Sequence, residues 1–303
     1  MEGLLNLNKP AGPTSHGLVC QVRRLLQERR IGHGGTLDPL ASGVLPIGVG
    51  RATRLLSFLQ EADKVYRAEI RLGIRTTTYD AEGAVTAERP VPDLSAEGLE
   101  QVLASFRGEI EQLPPPFSAV RQDGQRLYQR ARAGQEVRLP KRRVRILGLE
   151  LLSWSRPDLV LKVTCGSGTY VRSLAHDLGE RLGCGAYLRG LVRLRVGPMR
   201  LEDTVTIADL AAARELGQVQ SLLLPADLAV QHWPAVQVDA DQAQALLNGR
   251  PVALDLEGVG RTRAYDEAGR LIGLLRFDPA GGLWRPWRVF PPAGGPQQPP
   301  CPG

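Results

Sequence analysis

The sequence predicts an α+β protein in which a large mixed unit is followed by a small β-rich unit. Alternation of apolar and polar residues over 64–73 and 188–196 is typical of half-buried strands. Apolar residues on one helical face, as over 95–106, predict amphipathic helices between such strands. The chain has 303 residues, of which 43% are hydrophobic, so it can bury a large core and carry a second domain.

The first hundred residues alternate between strand and helix patterns. Gly3 to Leu7 is a short apolar strand, and a proline-rich turn follows it. Ser15 is a favourable N-cap for the next helix, whose apolar residues fall on one face. The remaining predicted elements are a strand at 44–49, a helix at 51–59, the strand at 64–73, a turn at 80–83 and the helix at 95–106.

The second half of the main unit repeats this alternation. Its predicted elements are strands at 144–151 and 159–165, a helix at 171–182, the strand at 188–196 and a helix at 210–216. In the strand at 188–196, one predicted face carries Leu188, Val192, Leu194 and Val196, and the other carries Arg189, Leu191, Arg193 and Arg195. Leu191 among arginines is either an apolar wall for a nucleic-acid base or a chance occurrence.

The C-terminal part predicts a separate small domain. Leu224 to Asp227 reads as a linker, and the helix 240–248, the hairpin 261–277 and the closing segment 284–290 follow it. Short strands with clustered tryptophans in about 60 residues favour a small β-barrel. We therefore expect domains at 1–227 and 228–292, with a disordered tail at 293–303, which is rich in proline, glycine and glutamine.

The charge of the chain favours a polyanionic partner. Lysine and arginine total 38 against 32 acidic residues, a formal net charge of +6. In the segment 112–145, Phe117 and Tyr128 are interleaved with many basic residues. This pattern predicts an insertion that orders against nucleic acid, and a merely solvated basic excursion is the alternative.

Several classes of chemistry lack their sequence signals. The four cysteines form no C-x-x-C pair, the four histidines form no H-x-x-x-H pair, and no phosphate-binding loop occurs. We expect no metal and no cofactor. Because no apolar run approaches the ~20 residues of a membrane span and no signal-peptide pattern is present, we expect a soluble, cytoplasmic protein that does not bind membranes.

The most informative stretch is the glycine-rich loop that carries Asp38. Pro39 biases Asp38 away from helical geometry, and the glycines at 32, 34, 35 and 43 allow unusual backbone dihedrals, so the carboxylate is stiffly posed. Without further context such an Asp-Pro step is more often a plain turn. Arg172 lies in the first turn of its helix, where a cation opposes the helix dipole. It is either paired with a carboxylate, for which Asp38 is the candidate, or simply exposed.

These motifs resemble those of the bacterial tRNA pseudouridine-55 synthases, the TruB family. The resemblance covers most of the chain and rests on Gly32 to Pro46, Lys9-Pro10-Ala11-Gly12, Val65-Tyr66-Arg67, Gly168 to Arg172 and Leu191. It implies the pseudouridine synthase fold, with a mixed, largely antiparallel central sheet flanked by helices, and a C-terminal PUA-like RNA-binding barrel. Gly166 departs from the family pattern, which often has serine there. The sequence of residues 38–43 is more similar to the stand-alone bacterial enzymes than to their guide-RNA-dependent relatives.

The resemblance also implies an activity: the isomerisation of uridine to pseudouridine at position 55 in the T loop of tRNA. The partner would be the T arm of tRNA, no cofactor would be needed, and we expect a monomer. The uridine would have to flip out of the loop to be reached. The implied site is Asp38 as the catalytic carboxylate, Arg172 and Lys9 as its support, and His33, Tyr66, Tyr170 and Leu191 as substrate-binding residues.

For the same residues we expect Arg172 to favour the ionised form of Asp38 more than burial disfavours it. Two other functions remain open at this point. A non-catalytic RNA chaperone would use the same basic surface. A hydrolase would use Cys165 or Ser167 with His176, although the sequence lacks a G-x-S-x-G motif.

Overall fold

The computed structural model describes residues 1–116, 140–256 and 260–291, together with the backbone of two short strands within 117–139. The chain divides into two compact units, Met1–Ala226 and Asp227–Gly303. Most of the predicted insertion at 112–145 and the whole predicted tail at 293–303 lie outside the described residues.

The first unit is built on a nine-stranded sheet with the order β1-β3-β12-β4-β11-β10-β7, in which β2 also pairs with β3 and β13 with β12. Among the described strands of this sheet only β3 and β12 pair in parallel. The predicted α+β class with a mixed, largely antiparallel sheet is confirmed. Strands β5 and β6, and likewise β8 and β9, form separate two-stranded sheets. The described strands of the first unit are β1 (Gly3–Lys9), β2 (Ile31–His33), β3 (Ala41–Val49), β4 (Lys64–Leu72), β5 (Ile74–Thr76), β6 (Val85–Glu88), β7 (Gly108–Gln112), β8 (Arg121–Gln122), β9 (Gln125–Arg126), β10 (Arg142–Ser155), β11 (Asp158–Cys165), β12 (Ala186–Val196) and β13 (Met199–Arg200).

The helices of the first unit cover apolar faces of the strands. They are α1 (Ser15–Leu26), α2 (Leu56–Glu61), α3 (Ala96–Ala104), α4 (Val171–Arg181) and α5 (Ile207–Glu215). One buried cluster joins β4, β11 and β12 to α3 and α4, and a second joins β1 and β3 to α1 and α5. Each fully buried leucine of these clusters contributes roughly 1.5–3 kcal/mol of transfer free energy.

Two predicted helices differ in detail from those observed. The N-cap of α1 is Thr14, whose Oγ1 accepts a hydrogen bond from the Gly17 amide at 3.0 Å, and not Ser15. Ser15 is the first helical residue and its hydroxyl has another role, described below. The predicted helix at 51–59 is a 3-10 helix, Gly50–Leu55, followed by α2.

The predicted alternation in β12 is wrong in part. Arg193 is only 1% exposed, whereas its neighbours Val192 and Leu194 are half-buried. The pairing of β12 with β4 shifts between Leu188 and Gly190 and again between Arg193 and Arg195. A shift of one residue moves the following side chains to the other face of a strand, so simple alternation cannot hold along β12.

The second unit contains the predicted hairpin and helix. Its strands β14 (Ala235–Gln237), β15 (Arg261–Tyr265), β16 (Leu271–Asp278) and β17 (Leu283–Val289) form a four-stranded sheet in that order. Helix α6 (Ala240–Leu247) packs its apolar side into a core around the buried Trp284. Within the described part of this unit the sheet is open, so a closed barrel is not established.

Among the residues that the structure describes, no helix has both the length and the apolar character needed to cross a lipid bilayer.

Candidate active site

Hydrogen bonds to other parts of the chain hold the loop that carries Asp38 on both sides of this residue. The Ser15 hydroxyl donates to the Leu37 carbonyl and accepts from the Leu37 amide, both at 2.9 Å. The Gly34 amide donates to the Pro46 carbonyl at 2.8 Å, and the Ala41 amide donates to the carbonyl of Asp38 at 3.1 Å. These bonds restrict the loop on either side of Asp38 and therefore limit the directions in which its carboxylate can point.

Lys9 lies beneath this loop with its side chain wholly buried. Its Nζ donates to the carbonyls of Pro10 at 3.0 Å, Pro39 at 3.2 Å and Ala41 at 2.6 Å. Burial lowers the pKa of Lys9, and the nearby Asp38 carboxylate opposes that effect. Lys9 thus holds the backbone around Pro39, and it is not among the residues that line the cavity described below.

Arg172 joins two carboxylates from the first turn of α4. Its Nε lies 3.0 Å from Asp38 Oδ2 and its Nη2 lies 3.3 Å from Asp38 Oδ1, so the expected ion pair is present. Its Nη1 also lies 3.1 Å from Oδ2 of Asp80. One guanidinium therefore serves two acids.

Asp80 was expected only as a turn residue, and its pairing with Arg172 is a finding of the structure. Its side chain is 2% exposed, against 36% for that of Asp38. Asp80 Oδ1 accepts from the Thr78 hydroxyl at 2.5 Å and from the Glu82 amide at 3.1 Å. The sequence gives no signal for this pair because 92 residues separate Arg172 from Asp80.

The sharing of Arg172 changes the expected electrostatics of Asp38. Burial raises the pKa of Asp38 above its usual value, Arg172 opposes this, and the negative charge of Asp80 raises the pKa further. The expectation that pairing with Arg172 would outweigh burial is therefore wrong in direction. The physical reason is that burial has the largest effect on this carboxyl group and the negative charge of Asp80 adds to it, so the charge of Arg172 does not reverse the rise.

A cleft of about 280 Å³ opens beside the Asp38 carboxylate. Tyr66 on β4 and Leu191 on β12 form buried parts of its wall. Across the pair of β4 and β12, Tyr66 is opposite Arg193 and Leu191 is opposite Ala68. Tyr66 and Ala68 are two positions apart on β4, so Tyr66 and Leu191 lie on the same face of the sheet. Tyr170 and Arg172, at the start of α4, also line the cleft. The structure thus brings together five of the seven predicted site residues: Asp38, Tyr66, Tyr170, Arg172 and Leu191.

The start of α4 is fixed by a reciprocal amide contact. The Tyr170 amide donates to Gln112 Oε1 at 2.8 Å, and Gln112 Nε2 donates to the Tyr170 carbonyl at 3.0 Å. Gln112 ends β7 and is buried. This contact ties the residue before α4 to the edge of the sheet, and so it fixes the point from which Arg172 projects.

Arg193 is a second buried arginine of the cleft, and the sequence did not single it out as a site residue. Its Nε donates to the Val44 carbonyl at 2.7 Å and its Nη2 to the Gly35 carbonyl at 3.0 Å. Burial raises the pKa of Tyr66, and the positive charge of Arg193 opposes that rise. The backbones of Gly43 and Arg193 also approach each other closely. Gly43 has φ of +101°, and a Cβ there would lie 2.3 Å from the Arg193 carbonyl oxygen, so only glycine fits.

Lys64 also lines the cleft and was not expected to be a site residue. Its Nζ donates to the carbonyls of Gln60 and Ala62. Burial, with a further contribution from the charge of Arg193, lowers the pKa of Lys64 to about 8. The sequence signal was weak, since Lys64 is only the first residue of an alternating strand.

His33 is the other predicted site residue outside the cleft lining. It lies on β2, opposite Ile47 of β3, and is half-buried. Burial lowers the pKa of His33, so its ring is neutral at neutral pH.

The alternative site of a thiol hydrolase has little geometric support. Cys165 is buried in the core, and burial raises the pKa of its thiol to about 11. A nucleophilic cysteine needs the opposite shift, towards the thiolate. The proposed base, His176, stacks on Tyr79 with ring centroids 3.8 Å apart.

Three family models match consecutive parts of the chain. The first, described as "TruB family pseudouridylate synthase (N terminal domain)", matches residues 23–171. "tRNA pseudouridylate synthase B C-terminal domain" matches 172–231, and "tRNA Pseudouridine synthase II, C terminal" matches 233–291.

Curated relatives are similar over nearly the whole chain. The tRNA pseudouridine synthase B of Dehalococcoides mccartyi (strain ATCC BAA-2266 / KCTC 15142 / 195) is 43% identical over 291 residues, which are 96% of this chain and 97% of the relative. The protein of the same name from Aromatoleum aromaticum is 46% identical over 283 residues, 93% of this chain and 91% of the relative.

Solved structures share the fold. A chain in a structure of an H/ACA RNP bound to a substrate RNA containing 2'-deoxyuridine has a TM-score of 0.73 and 27% identity, covering 96% of this chain and 85% of its own. A chain in the crystal structure of a Cbf5-Nop10-Gar1 complex has a TM-score of 0.71 and 30% identity, covering 90% of this chain and 78% of its own. With family models along most of its length and relatives above 40% identity, this chain belongs to the TruB family of pseudouridylate synthases.

Proposed function

We propose that this chain is a tRNA pseudouridine-55 synthase that isomerises one uridine of the T loop without a cofactor. The reaction breaks the bond between the ribose and N1 of uracil, turns the base and forms a bond from the ribose to C5. The proton on C5 is lost and N1 gains one, so no net oxidation or reduction occurs. The observation that carries the proposal is Asp38, held by Arg172 at the mouth of a cleft walled by Tyr66 and Leu191.

Asp38 is the residue to which we assign the chemistry. Its carboxylate would attack the ribose or the ring, or stabilise positive charge on the sugar, and each of these roles requires the ionised form. Arg172 supports that form, whereas burial and Asp80 oppose it. The more exposed side chain of Asp38, compared with that of Asp80, makes it the acid of the pair that a substrate can reach.

The other predicted site residues would bind the flipped nucleotide. Tyr66 would stack on uracil, and its raised phenol pKa keeps the hydroxyl protonated and able to donate a hydrogen bond. Tyr170 and Leu191 would complete the pocket, and His33 would contact the RNA loop displaced by flipping. Lys9 would support the site through the backbone that it holds.

We assign the RNA-binding parts as follows. Residues 1–227 would be the catalytic domain with an RNA-binding insertion at 112–145, and 228–292 a PUA-like domain; the enzyme would act as a cytoplasmic monomer on the T arm. One observation supports RNA binding by the second unit. Arg261 and Arg276 are directly opposite each other on β15 and β16, where like charges repel. Their guanidinium carbons lie 4.9 Å and 3.4 Å from the centre of the Trp287 ring. Stacked arginines of this kind suit phosphates and bases.

The test uses a tRNA transcript that carries tritium on C5 of its uridines, with purified protein and no metal or nucleotide. We expect release of tritium by the wild-type chain and a loss of at least about a thousandfold for Asp38→Asn. A transcript with cytidine at position 55 is the control for the site. Absence of release by the wild-type chain under any condition would refute the proposal.

An RNA chaperone without catalytic activity is the competing function. The same Asp38→Asn variant separates the two functions. If the chain is the enzyme, this variant should still bind tRNA in a filter-binding assay but should lose the tritium release of the wild type. If the wild-type chain binds and folds tRNA but releases no tritium, the chaperone function is the correct one.

A further inference from the structure

Tyr79 adopts a backbone conformation that is unfavourable for its side chain. Its φ is +64°, and among the described residues Gln27 is the only other non-glycine residue with a positive φ. An aromatic residue is found in this left-handed region only when surrounding contacts hold it there. The contacts of Tyr79 therefore show what the conformation achieves.

The backbone of Tyr79 is attached to β12. The Leu188 amide donates to the Tyr79 carbonyl at 2.9 Å, and the Ala81 amide donates to the Leu188 carbonyl at 3.0 Å. Thr76 Oγ1 also donates to the carbonyl of Asp80 at 2.8 Å. The bonds to Leu188 thus hold the backbone against β12 on both sides of Asp80, and the Thr76 bond holds the turn between Thr76 and Asp80.

The ring of Tyr79 is attached to α4. It stacks on the ring of His176 with 3.8 Å between centroids and an interplanar angle of 7°. Within the described residues no hydrogen bond reaches Nδ1 of His176, which is buried, so stacking is the contact that orients this ring. Burial lowers the pKa of His176, which makes the stack one between two neutral rings at neutral pH.

Two consecutive residues of the loop therefore reach two residues one turn apart on the same helix. Asp80 contacts Arg172, and Tyr79 contacts His176, four residues further along α4. In an extended chain the side chains of Tyr79 and Asp80 would point in opposite directions. The left-handed conformation at Tyr79 turns the chain so that both side chains reach α4.

We propose that Tyr79 and His176 are positioning residues of the active site, which hold Asp80 on Arg172 and so fix the guanidinium that contacts Asp38. Neither residue lines the cleft, and neither would touch the substrate. They act through Asp80 and Arg172. This inference rests on the proposed function, because its consequence is measured as pseudouridine formation.

The test compares kcat and KM of variants on the same tRNA. Asparagine tolerates the left-handed region but has no ring, so Tyr79→Asn should lower kcat about ten- to hundredfold with KM changed less than about twofold. Tyr79→Phe, which retains the ring, should recover most of the lost kcat. His176→Ala should resemble Tyr79→Asn, and His176→Phe should recover activity in the same way.

A matched control comes from Tyr187, a half-buried tyrosine on β12 opposite Arg71. Tyr187→Asn removes a similar ring whose side chain, within the described residues, makes no hydrogen bond to Asp80 and does not stack on His176, so its kcat should stay near that of the wild type. Equal losses in Tyr187→Asn and Tyr79→Asn would mean a general structural effect and would overturn the inference.

A double-mutant cycle with Asp80→Asn shows whether Tyr79 acts through Asp80. If Tyr79 acts through Asp80, Tyr79→Asn should reduce kcat by less than about twofold in the Asp80→Asn background. Losses that multiply would overturn the inference while the proposed function stands, as would a fully active Tyr79→Asn variant. A wild-type chain that forms no pseudouridine would overturn both.

Discussion

The loops around Asp38 and Asp80 each deliver a carboxylate to the same guanidinium, but they are built differently. The loop around Asp38 is held through its backbone by Ser15 and Lys9. The segment around Asp80 is held through its backbone by Leu188 of β12, and its own Thr78 also binds the Asp80 carboxylate directly. The exposed fraction of the side chain is 36% for Asp38 and 2% for Asp80. One loop leaves its acid available for chemistry, and the other commits its acid to structure.

Among the variants that test this difference between the two loops, Asp80→Asn should have the largest effect. It leaves Arg172 with one carboxylate and removes one member of a buried ion pair, so we expect a loss of about 3 kcal/mol in the free energy of unfolding. We also expect a fall in kcat of about ten- to hundredfold, because the guanidinium is held less firmly. Denaturant unfolding and tritium release measure the two effects. A variant as stable as the wild type would show that Asp80 does not have the structural role assigned here.

The activity and the stability that depend on Asp38 should change with pH differently from those of a protein whose carboxylate is stabilised by an ion pair. As the pH falls below the pKa of Asp38, kcat should fall about tenfold per pH unit. Because the pKa of Asp38 is raised, this fall should begin at a higher pH than for an ordinary aspartate. The effect on stability has the opposite sign to that of a paired acid. The folded chain binds this proton more tightly, so folding loses stability as pH rises from the unfolded to the folded pKa of Asp38.

Asp38→Asn removes that loss of stability. At neutral pH its melting temperature should equal or exceed that of the wild type, and the two should converge in acid below the unfolded pKa of aspartate. Thermal unfolding across this pH range checks the sign. A variant that melts clearly below the wild type at neutral pH would mean that Asp38 is a stabilising acid, like Asp80.

The smallest expected effect comes from Ser15→Ala, which loosens the Asp38 loop without touching a charge. The variant loses the two hydrogen bonds to Leu37 and leaves a buried amide and a buried carbonyl without this partner. We expect a cost of about 1–3 kcal/mol in unfolding free energy and a fall of a few fold in kcat. Thr14→Ala is the matched control, because it removes a helix cap, at about 1 kcal/mol, and leaves the loop intact. Equal kcat values for the two variants would contradict the anchoring role of Ser15.

Local patterns predicted much of this fold and only part of the site. The alternation in β4 and the apolar stripe of α4 were sufficient to place Tyr66 and Arg172 on the correct elements. Local patterns drew attention to Asp38 and Leu191, but only the family resemblance gave them a function. Asp80 and Arg193 could not be found in this way, because their roles arise from contacts across 92 and 149 residues of sequence. The bulges in β12 also have no local signal, and because of them the predicted alternation in this strand is wrong in part.

The parallel contact between β3 and β12 has a consequence for the synthesis of the chain. Leu191 is paired with Ala41, and the cleft residues Asp38 and Leu191 come from segments made at widely separated times on the ribosome. A nascent chain that ends before β12 lacks Leu191 and Arg193 and leaves the start of β3, from Ala41 to Gly43, without its pairing to β12. The cleft can therefore form only late in folding, and shortened fragments of the first unit should be unable to hold the substrate even when their early helices are in place.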